Sequence, residues 1–424
     1  MREMKDSGVE WIGLIPSDWE LTKIGSVYDE RNIKVSDEEY PPLSVTKQGI
    51  VPQLETAAKT DNGDNRKLIC KNDFVINSRS DRRGSCGISE YEGSCSLINT
   101  VLMPQRRMCN RYYGYVFKSD LFADEYYRWG HGIVDDLWST KWSDMKNIYI
   151  PMPVLSEQEH RADYLDRKCS KIDEIIAKQE QIIEKLKEYK ISVITEAVTK
   201  GLNPDVEMKD SGIEWIGSIP SKWTTIKLKS IIDCLPGYAF SSDDFEQNNG
   251  IPLLRGINLT PNGIRWDDTV YWNSEITDKL NQFLIRENDI VVGLDRPWVS
   301  DGMRVTVIRK EDLPCLLLQR VCRIRVKEPH DFRLVYHWIN SKAFEIALSI
   351  ETTGVSVPHI STKQIENFAI AVPSSNEEKT ICDYLDNKCK LIDEDIRRRF
   401  NVIDKAIEYK KSLIYEIVTG KKEV

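Results

Sequence analysis

The chain is written twice. Residues 4–19 read MKDSGVEWIGLIPSDW and residues 208–223 read MKDSGIEWIGSIPSKW, identical at thirteen of sixteen positions. A second block behaves the same way, with DYLDRKCSKIDE at 163–174 and DYLDNKCKLIDE at 383–394. Glu188-Tyr189-Lys190 returns as Glu408-Tyr409-Lys410, and Val198-Thr199 as Val418-Thr419. A repeat on this scale constrains the fold strongly, because each copy must build a related unit. The offset is 204 at the first block and 220 at the second, so the second half carries sixteen extra residues between its shared blocks. A fainter echo survives in that stretch: Asn72-Asp73-Phe74-Val75-Ile76 matches Asn288-Asp289-Ile290-Val291-Val292. An Asp-Arg pair follows each, Asp81-Arg82 and Asp295-Arg296. Each half is a shared frame around a divergent middle.

The second shared block is helical in pattern. Apolar residues fall at Leu165, Cys169, Ile172, Ile176, Ile183, Leu186 and Val193, and again at Leu385, Cys389, Ile392, Ile396, Ile403, Ala406, Leu413 and Ile417. Steps of three and four make a coiled-coil seam. Gln179 and Arg399 interrupt it at matching positions, where a polar residue fixes register. Ser156 with Glu159, and Ser375 with Glu378, have capping-box spacing. Gly201 and Gly420 read as helix stops. At 1.5 Å per residue, a block of about 40 residues reaches roughly 60 Å. The middles carry short β-type runs punctuated by Gly, Asn, Asp and Pro. The expected class is α+β: two loop-rich mixed α/β domains joined by two long helices that pair as an antiparallel intramolecular coiled coil. The expected boundaries are 1–152 for the first domain, 153–203 for the first helix, 204–372 for the second domain and 373–424 for the second helix.

Several function classes find no support. No apolar run approaches the roughly 20 residues of a membrane span, and the N-terminus lacks the apolar stretch of a signal peptide. A cytoplasmic protein without membrane contact is expected. Ten cysteines include no C-x-x-C pair, and the tightest pairs, Cys315/Cys322 and Cys382/Cys389, are seven apart. They read as free, mostly buried thiols rather than metal ligands. There is no phosphate-binding G-x-x-x-x-G-K-[ST] loop, no G-x-G-x-x-G, no G-x-S-x-G and no Asn/Asp-Pro-Pro-aromatic tetrapeptide of the amino-methyltransferases. Five histidines include no H-x-x-x-H pair. No catalytic residue, metal or bound cofactor is therefore assigned.

The divergent middles instead concentrate side chains that read DNA. The net charge of −8 does not oppose this, since binding needs a basic face and not a basic total. The first middle offers Ser78, Arg79, Ser80, Arg82 and Arg83 on a loop after a strand, and Ser139, Thr140 and Lys141 beside two tryptophans. Arginine can grip a phosphate or hold a guanine edge bidentately. The second middle offers Asp295 and Arg296, again after a strand, with Arg304. Gln319 and Arg320 lead into Arg323 and Arg325 in strand alternation. A polar loop carries Thr352, Thr353 and His359.

Together these features resemble one family, the specificity subunits of type I restriction–modification systems. The resemblance spans nearly the whole chain. It is carried by the 4–19 block and its copy, by IVDDLWSTKW at 133–142, and by Asn203-Pro204. Gly293-Leu294-Asp295-Arg296, Gln319 to Ile324, Pro358-His359-Ile360-Ser361, and Pro153 with Glu157-Gln158 also carry it. The second helix opens on Glu377-Glu378 instead of Glu-Gln. The resemblance implies two target recognition domains, each reading one half of a bipartite, asymmetric site on double-stranded DNA, with the helices setting the spacer. It implies two methyltransferase subunits and two restriction/translocase subunits as partners, which would bind S-adenosylmethionine, ATP and Mg. The rival reading is a catalytic restriction or methylation polypeptide, or its detached recognition part, and it lacks the motifs it needs.

Overall fold

The structure is a computed structural model that describes residues 2–53, 63–79, 82–105, 108–132, 138–261, 263–273, 275–299, 302–349 and 359–424. It divides into two compact units, residues 1–179 with 400–424 and residues 180–399.

In the first unit the block at 4–19 forms a hairpin, Met4–Asp6 against Leu14–Pro16. A four-stranded antiparallel sheet follows, in the order Cys86–Ile88, Phe74–Asn77, Asn99–Pro104, Tyr28–Glu30. Phe74, Val75 and Ile76 are all buried, which is why this strand reads as an unbroken apolar run and not as an alternation. Helices Asn110–Lys118 and Asp120–Arg128 pack Tyr112, Tyr113, Phe117 and Phe122 into the same core. The second unit repeats the plan: hairpin Met208–Asp210 with Ser218–Pro220, sheet order Val305–Val307, Ile290–Gly293, Val321–Val326, Ile232–Pro236, and helices Phe332–Ile339 and Lys342–Ser349. The middles thus share one sheet despite their divergent sequences. What differs is a second layer. The second unit builds a further core around Leu253, Leu254, Phe283, Leu316 and Leu317, whereas among the described residues of the first the matching core is a small one around Leu43, Ile69 and Val101.

The sequence echo marks a repeated turn. Asn72 and Asn288 take left-handed φ values of 71° and 68°, a region asparagine tolerates better than most residues. The next residue is a buried aspartate in both units. Asp73 accepts from Cys70 N at 2.8 Å and from Arg31 at 2.7 and 3.1 Å. Asp289 accepts from Arg286 N at 2.7 Å and from Arg325 at 2.7 and 2.6 Å.

The long helices span Leu155–Lys200 and Ser375–Val418. In the first unit the start of one lies antiparallel to the end of the other: Arg161 Nη1 donates to Ile417 O at 2.9 Å, and Lys410 pairs with Asp173 at 2.6 Å. In the second unit Lys190 pairs with Asp393 at 2.7 Å. Leu165, Ile172 and Leu413 are buried in the first unit and Ile183, Leu385 and Ile392 in the second. Each such side chain contributes about 1.5–3 kcal/mol on burial. Ile403 is buried as well, while Ile176, Leu186 and Ile396 are partly covered. The boundaries of the units fall after Gln179 and after Arg399, the two polar positions of the seam. Each unit therefore takes one half of each helix.

The capping boxes are not where the spacing put them. The helices begin at Leu155 and Ser375, so Ser156 and Ser375 lie in the first turn. The carboxylates that turn back are Glu157 and Glu377, which accept from the indoles of Trp19 and Trp223 at 2.9 and 3.0 Å. The departure at Glu378 has a physical account. Gln158 Oε1 accepts from Cys109 N at 3.0 Å and its amide donates to Pro153 O. Glu378 keeps the first role, accepting from Asp331 N at 2.7 Å, and places its second oxygen 3.4 Å from His330 Nδ1.

Beside it, Arg333 and His337 clamp the second helix through Asp386, at 2.9 and 3.1 Å. Burial pushes the Asp386 carboxyl up, but the bonds from His337 and Arg333 outweigh it and leave it below the ordinary value. A carboxyl depressed in the folded state stabilises above its unfolded pKa, near 4, and loses that contribution as pH falls through its folded value. Asp386→Asn is expected to lower the second unit's melting temperature at pH 7 and to flatten its loss of stability below about pH 4. Parallel acid melts of wild type and variant would lack that flattening if the clamp were not charged.

Candidate nucleic-acid interface

In both units the site-bearing loop leaves the end of the second strand of the sheet and is tied down by the segment before a short helix. In the first unit Thr140 N donates to Ser78 O at 3.0 Å, and Arg79 forms a bridge with Ser139. In the second unit Ile360 N donates to Leu294 O at 2.8 Å, and Asp295 forms a bridge with His359. The helices that follow are Trp142–Met145 and Thr362–Asn367. Arg79 is thus the structural counterpart of Asp295. Arg82 and Arg296 are not equivalent in the fold, because they sit at different offsets from the strands.

The first edge gathers Ser78, Arg79, Ser139, Thr140 and Lys141. Arg79 and Lys141 are exposed, and Ser78 and Ser139 partly so. Thr140 is a correction: it is buried, and its hydroxyl donates to Tyr126 O at 2.7 Å, so it holds the loop and does not face solvent. Arg82 is exposed and carries a turn, with its N–H on Arg79 O. Arg83 pairs with Asp124. Ser80 lies outside the described residues, as do Thr352 and Thr353. Sequence reading passed over the concavity under this loop, which is lined by Ser78, Arg79, Arg83, Tyr127 and Trp138 among others. Trp138 donates to Tyr127 O at 3.0 Å with the two rings 5.8 Å apart. Gly130 permits this, since a Cβ there would fall 2.3 Å from the indole nitrogen.

The second edge is more tightly connected. Asp295 Oδ1 lies 2.7 Å from His359 Nδ1, and Oδ2 accepts from Arg320 Nη1 at 3.1 Å. These bonds, His359 first, hold the Asp295 carboxyl below the usual carboxylate range despite some burial. Arg296 and Arg320 are both exposed and both take left-handed φ values, 44° and 68°. Gln319 is exposed beside them, with its N–H on Tyr238 O. Arg304 is the second correction. It is partly buried and spans two backbone carbonyls, Leu259 O at 3.3 Å and Asp295 O at 3.2 Å, so it braces the loop from behind. Arg323 and Arg325 do share one strand face, but that face is internal: Arg323 pairs with Asp233 and Arg325 with Asp289. The described residues contain no cluster of three or more His, Cys, Asp or Glu that could hold a metal. None of the helices among them is long and apolar enough to cross a membrane.

The family model for the type I restriction modification DNA specificity domain matches residues 220–399. The type I restriction enzyme MjaVIII specificity subunit of Methanocaldococcus jannaschii is 28% identical over 421 residues, covering 96% of this chain and 93% of that protein. Along nearly its whole length the chain is similar to type I restriction enzyme specificity subunits, and its second half matches their DNA specificity domain. The Escherichia coli EcoAI specificity subunit is 31% identical over 219 residues, which is 50% of this chain and 36% of the relative. Among solved structures, a chain from work on assembly and conformational transition of the type I R-M system superposes with a TM-score of 0.72 at 12% identity, covering 96% of this chain and 99% of its own. The HsdS subunit from Thermoanaerobacter tengcongensis gives 0.51 at 14% identity, with 96% and 98% covered. At such identities the structural likeness speaks for the fold: two α/β domains with two long helices, as the repeat implied.

Proposed function

We propose that this chain is the DNA-recognition subunit of a type I restriction–modification complex, with no catalysis of its own, and that it reads a bipartite, non-palindromic site on double-stranded DNA. The observation that carries the reading is the pair of equivalent edges. The same backbone link, Thr140 to Ser78 and Ile360 to Leu294, supports Arg79 and Ser139 in one unit and Asp295, Arg320 and His359 in the other. One scaffold carrying two different sets of donors is the arrangement expected for reading two different half-sites.

The first edge would present Ser78, Arg79, Arg82, Ser139 and Lys141, and the second Arg296, Gln319, Arg320 and His359. Methyltransferase and restriction subunits are the partners of such a subunit, and two of each is the stoichiometry we propose. Those subunits would bring S-adenosylmethionine, ATP and Mg, and the complex would act in the cytoplasm. A catalytic polypeptide is not favoured, given the chain's similarity to specificity subunits.

The two continuous helices, of 46 and 44 residues, are proposed to fix the spacer between half-sites. Inserting one heptad after Gln179 and one after Arg399 adds about 10 Å to each helix, or about three base pairs of B-DNA at 3.4 Å each. Modified-adenine mapping in a host carrying the variant and its methyltransferase partner is expected to show both half-sites unchanged around a longer spacer. An unchanged spacer would refute the ruler, and the absence of any bipartite site with the wild-type chain would refute the recognition role itself.

A further inference from the structure

We propose that Asp295 is a positioning residue that aims Arg320 at a guanine in the half-site read by the second unit. The inference rests on the recognition role above and gives that role a named base class and a named device.

An acidic side chain on a DNA-facing edge is repelled by phosphate, so its presence there needs a reason. A carboxylate can accept from cytosine N4, but both oxygens of Asp295 are engaged, Oδ1 by His359 and Oδ2 by Arg320. It therefore acts on its two neighbours. Among the described residues Asp295 is the only ion-pair partner of Arg320, through Nη1. That bond engages Nη1 and leaves Nε and Nη2, the two nitrogens of the other guanidinium edge, without an ion pair among the described residues. Two parallel N–H groups on one edge are the donor pattern that matches guanine O6 and N7.

The pairing also decides between base and phosphate. A phosphate contact needs net positive charge and little orientation. A guanidinium beside a carboxylate has its charge largely cancelled but keeps its directional N–H groups, which favours a base edge over a phosphate.

The backbone supplies an independent observation. Of the four described non-glycine residues with positive φ, two are the asparagines of the repeated turn and two are Arg296 and Arg320, both on this edge. A left-handed arginine is uncommon and costs stability, so it persists where the surroundings hold it. Here Leu294 N donates to Arg320 O at 3.0 Å, and the side chain is tied to Asp295. Arg320 is held at both ends while its side chain stays 74% exposed. The position equivalent to Asp295 in the first unit is Arg79, bridged to Ser139, so the device belongs to one half-site alone.

The test uses the full chain co-expressed with its methyltransferase partner and reads modified adenines genome-wide, with quantitative binding of the complex to single-base variants of the site. Asp295→Asn is expected to relax one position of one half-site by about 10–100-fold in discrimination. That position carries guanine on one strand in the wild-type site. Arg320→Lys, which keeps charge but loses the fork, relaxes the same position. At that position Arg320→Ala and the double variant Asp295→Asn/Arg320→Ala are expected to behave alike, because the carboxylate acts on that base through the arginine. The other half-site, unchanged within the same molecules, reports that the variants fold and dock.

The proposal is overturned if Asp295→Asn leaves every position as selective as before, if it weakens binding equally on all sequences, if the relaxed position is an A·T pair, or if the two substitutions add. A wild-type chain that directs methylation to no bipartite site overturns the recognition role and this inference together. A wild-type bipartite site untouched by Asp295→Asn overturns this inference alone.

Discussion

Arg161→Ala is expected to destabilise the first unit by about 3–5 kcal/mol, the range for breaking a buried ion pair by removing one partner. Arg161 is 2% exposed. Its Nη1 donates to one carbonyl at the end of the second long helix, Ile417 O at 2.9 Å, and to one just beyond it, Lys422 O at 3.0 Å. Its Nε and Nη2 reach Glu157 at 3.1 and 2.8 Å, and its guanidinium lies 4.7 Å from the centre of the Trp19 ring. Alanine would take the guanidinium from Lys422 O and leave Ile417 O with the Gly420 N–H at 3.2 Å, and it would leave Glu157 with Arg2 as its remaining cation among the described residues. Two effects compete in the variant. Arg2 keeps Glu157 partly paired and reduces the loss, while the cavity under Trp19 adds to it. The weakened carbonyl bonds add to the loss, since an unsatisfied polar group costs about 1–3 kcal/mol. Urea unfolding followed by tryptophan fluorescence should show the loss. Hydrogen exchange should place it at residues 413–420, with Arg161→Lys intermediate because an ammonium cannot span both carbonyls and the carboxylate. A variant as stable as wild type, with those amides still protected, would mean that the helix end is held by apolar contacts alone.

How much of this was legible in the sequence depends on which copy is consulted. The frame was readable because it is written twice: the hairpins and much of the paired helices fall in repeated blocks. Arg161 was not readable, because its counterpart is Ile381, a fully buried apolar residue, and a charge at a helical position ordinarily reads as surface. Arg304 was misassigned for the related reason that an arginine bracing a loop from behind looks, in sequence, like one in front of it. Thr140 sat among exposed donors and turned out to bond backward. Asp295 was grouped in sequence with Arg296 and Arg320, but sequence could not say that its oxygens are both occupied. Side-chain direction in irregular loops is set by long-range contacts, such as Ile360 N to Leu294 O, and carries no local periodicity. The common sheet of the two middles was visible only as the short echo at 72–76 and 288–292, because strands buried on both faces tolerate exchange among Val, Ile and Phe.

That echo supports the second large prediction. Asp289→Ala is expected to cost the second unit about 3–5 kcal/mol, and Asp73→Ala the first unit a similar amount. Each aspartate is 1% exposed. Each takes a bidentate arginine, Arg325 or Arg31, and also satisfies the backbone N–H three residues earlier. Each closes a left-handed asparagine turn that launches the strand ending in the recognition loop. Removing the carboxylate orphans a partly buried guanidinium and a backbone donor together, and it frees the turn whose φ was costly to hold. The asparagine substitutions should be milder, since an amide oxygen still accepts the backbone N–H but no longer neutralises the arginine. The functional consequence separates the units. Methylation directed by Asp289→Ala should lose selectivity at one half-site and keep the other, and Asp73→Ala should do the reverse. Identical damage to both half-sites from either variant would mean that the two sheets do not stabilise their recognition edges independently. A shared turn would then link the halves of the site instead of serving each alone.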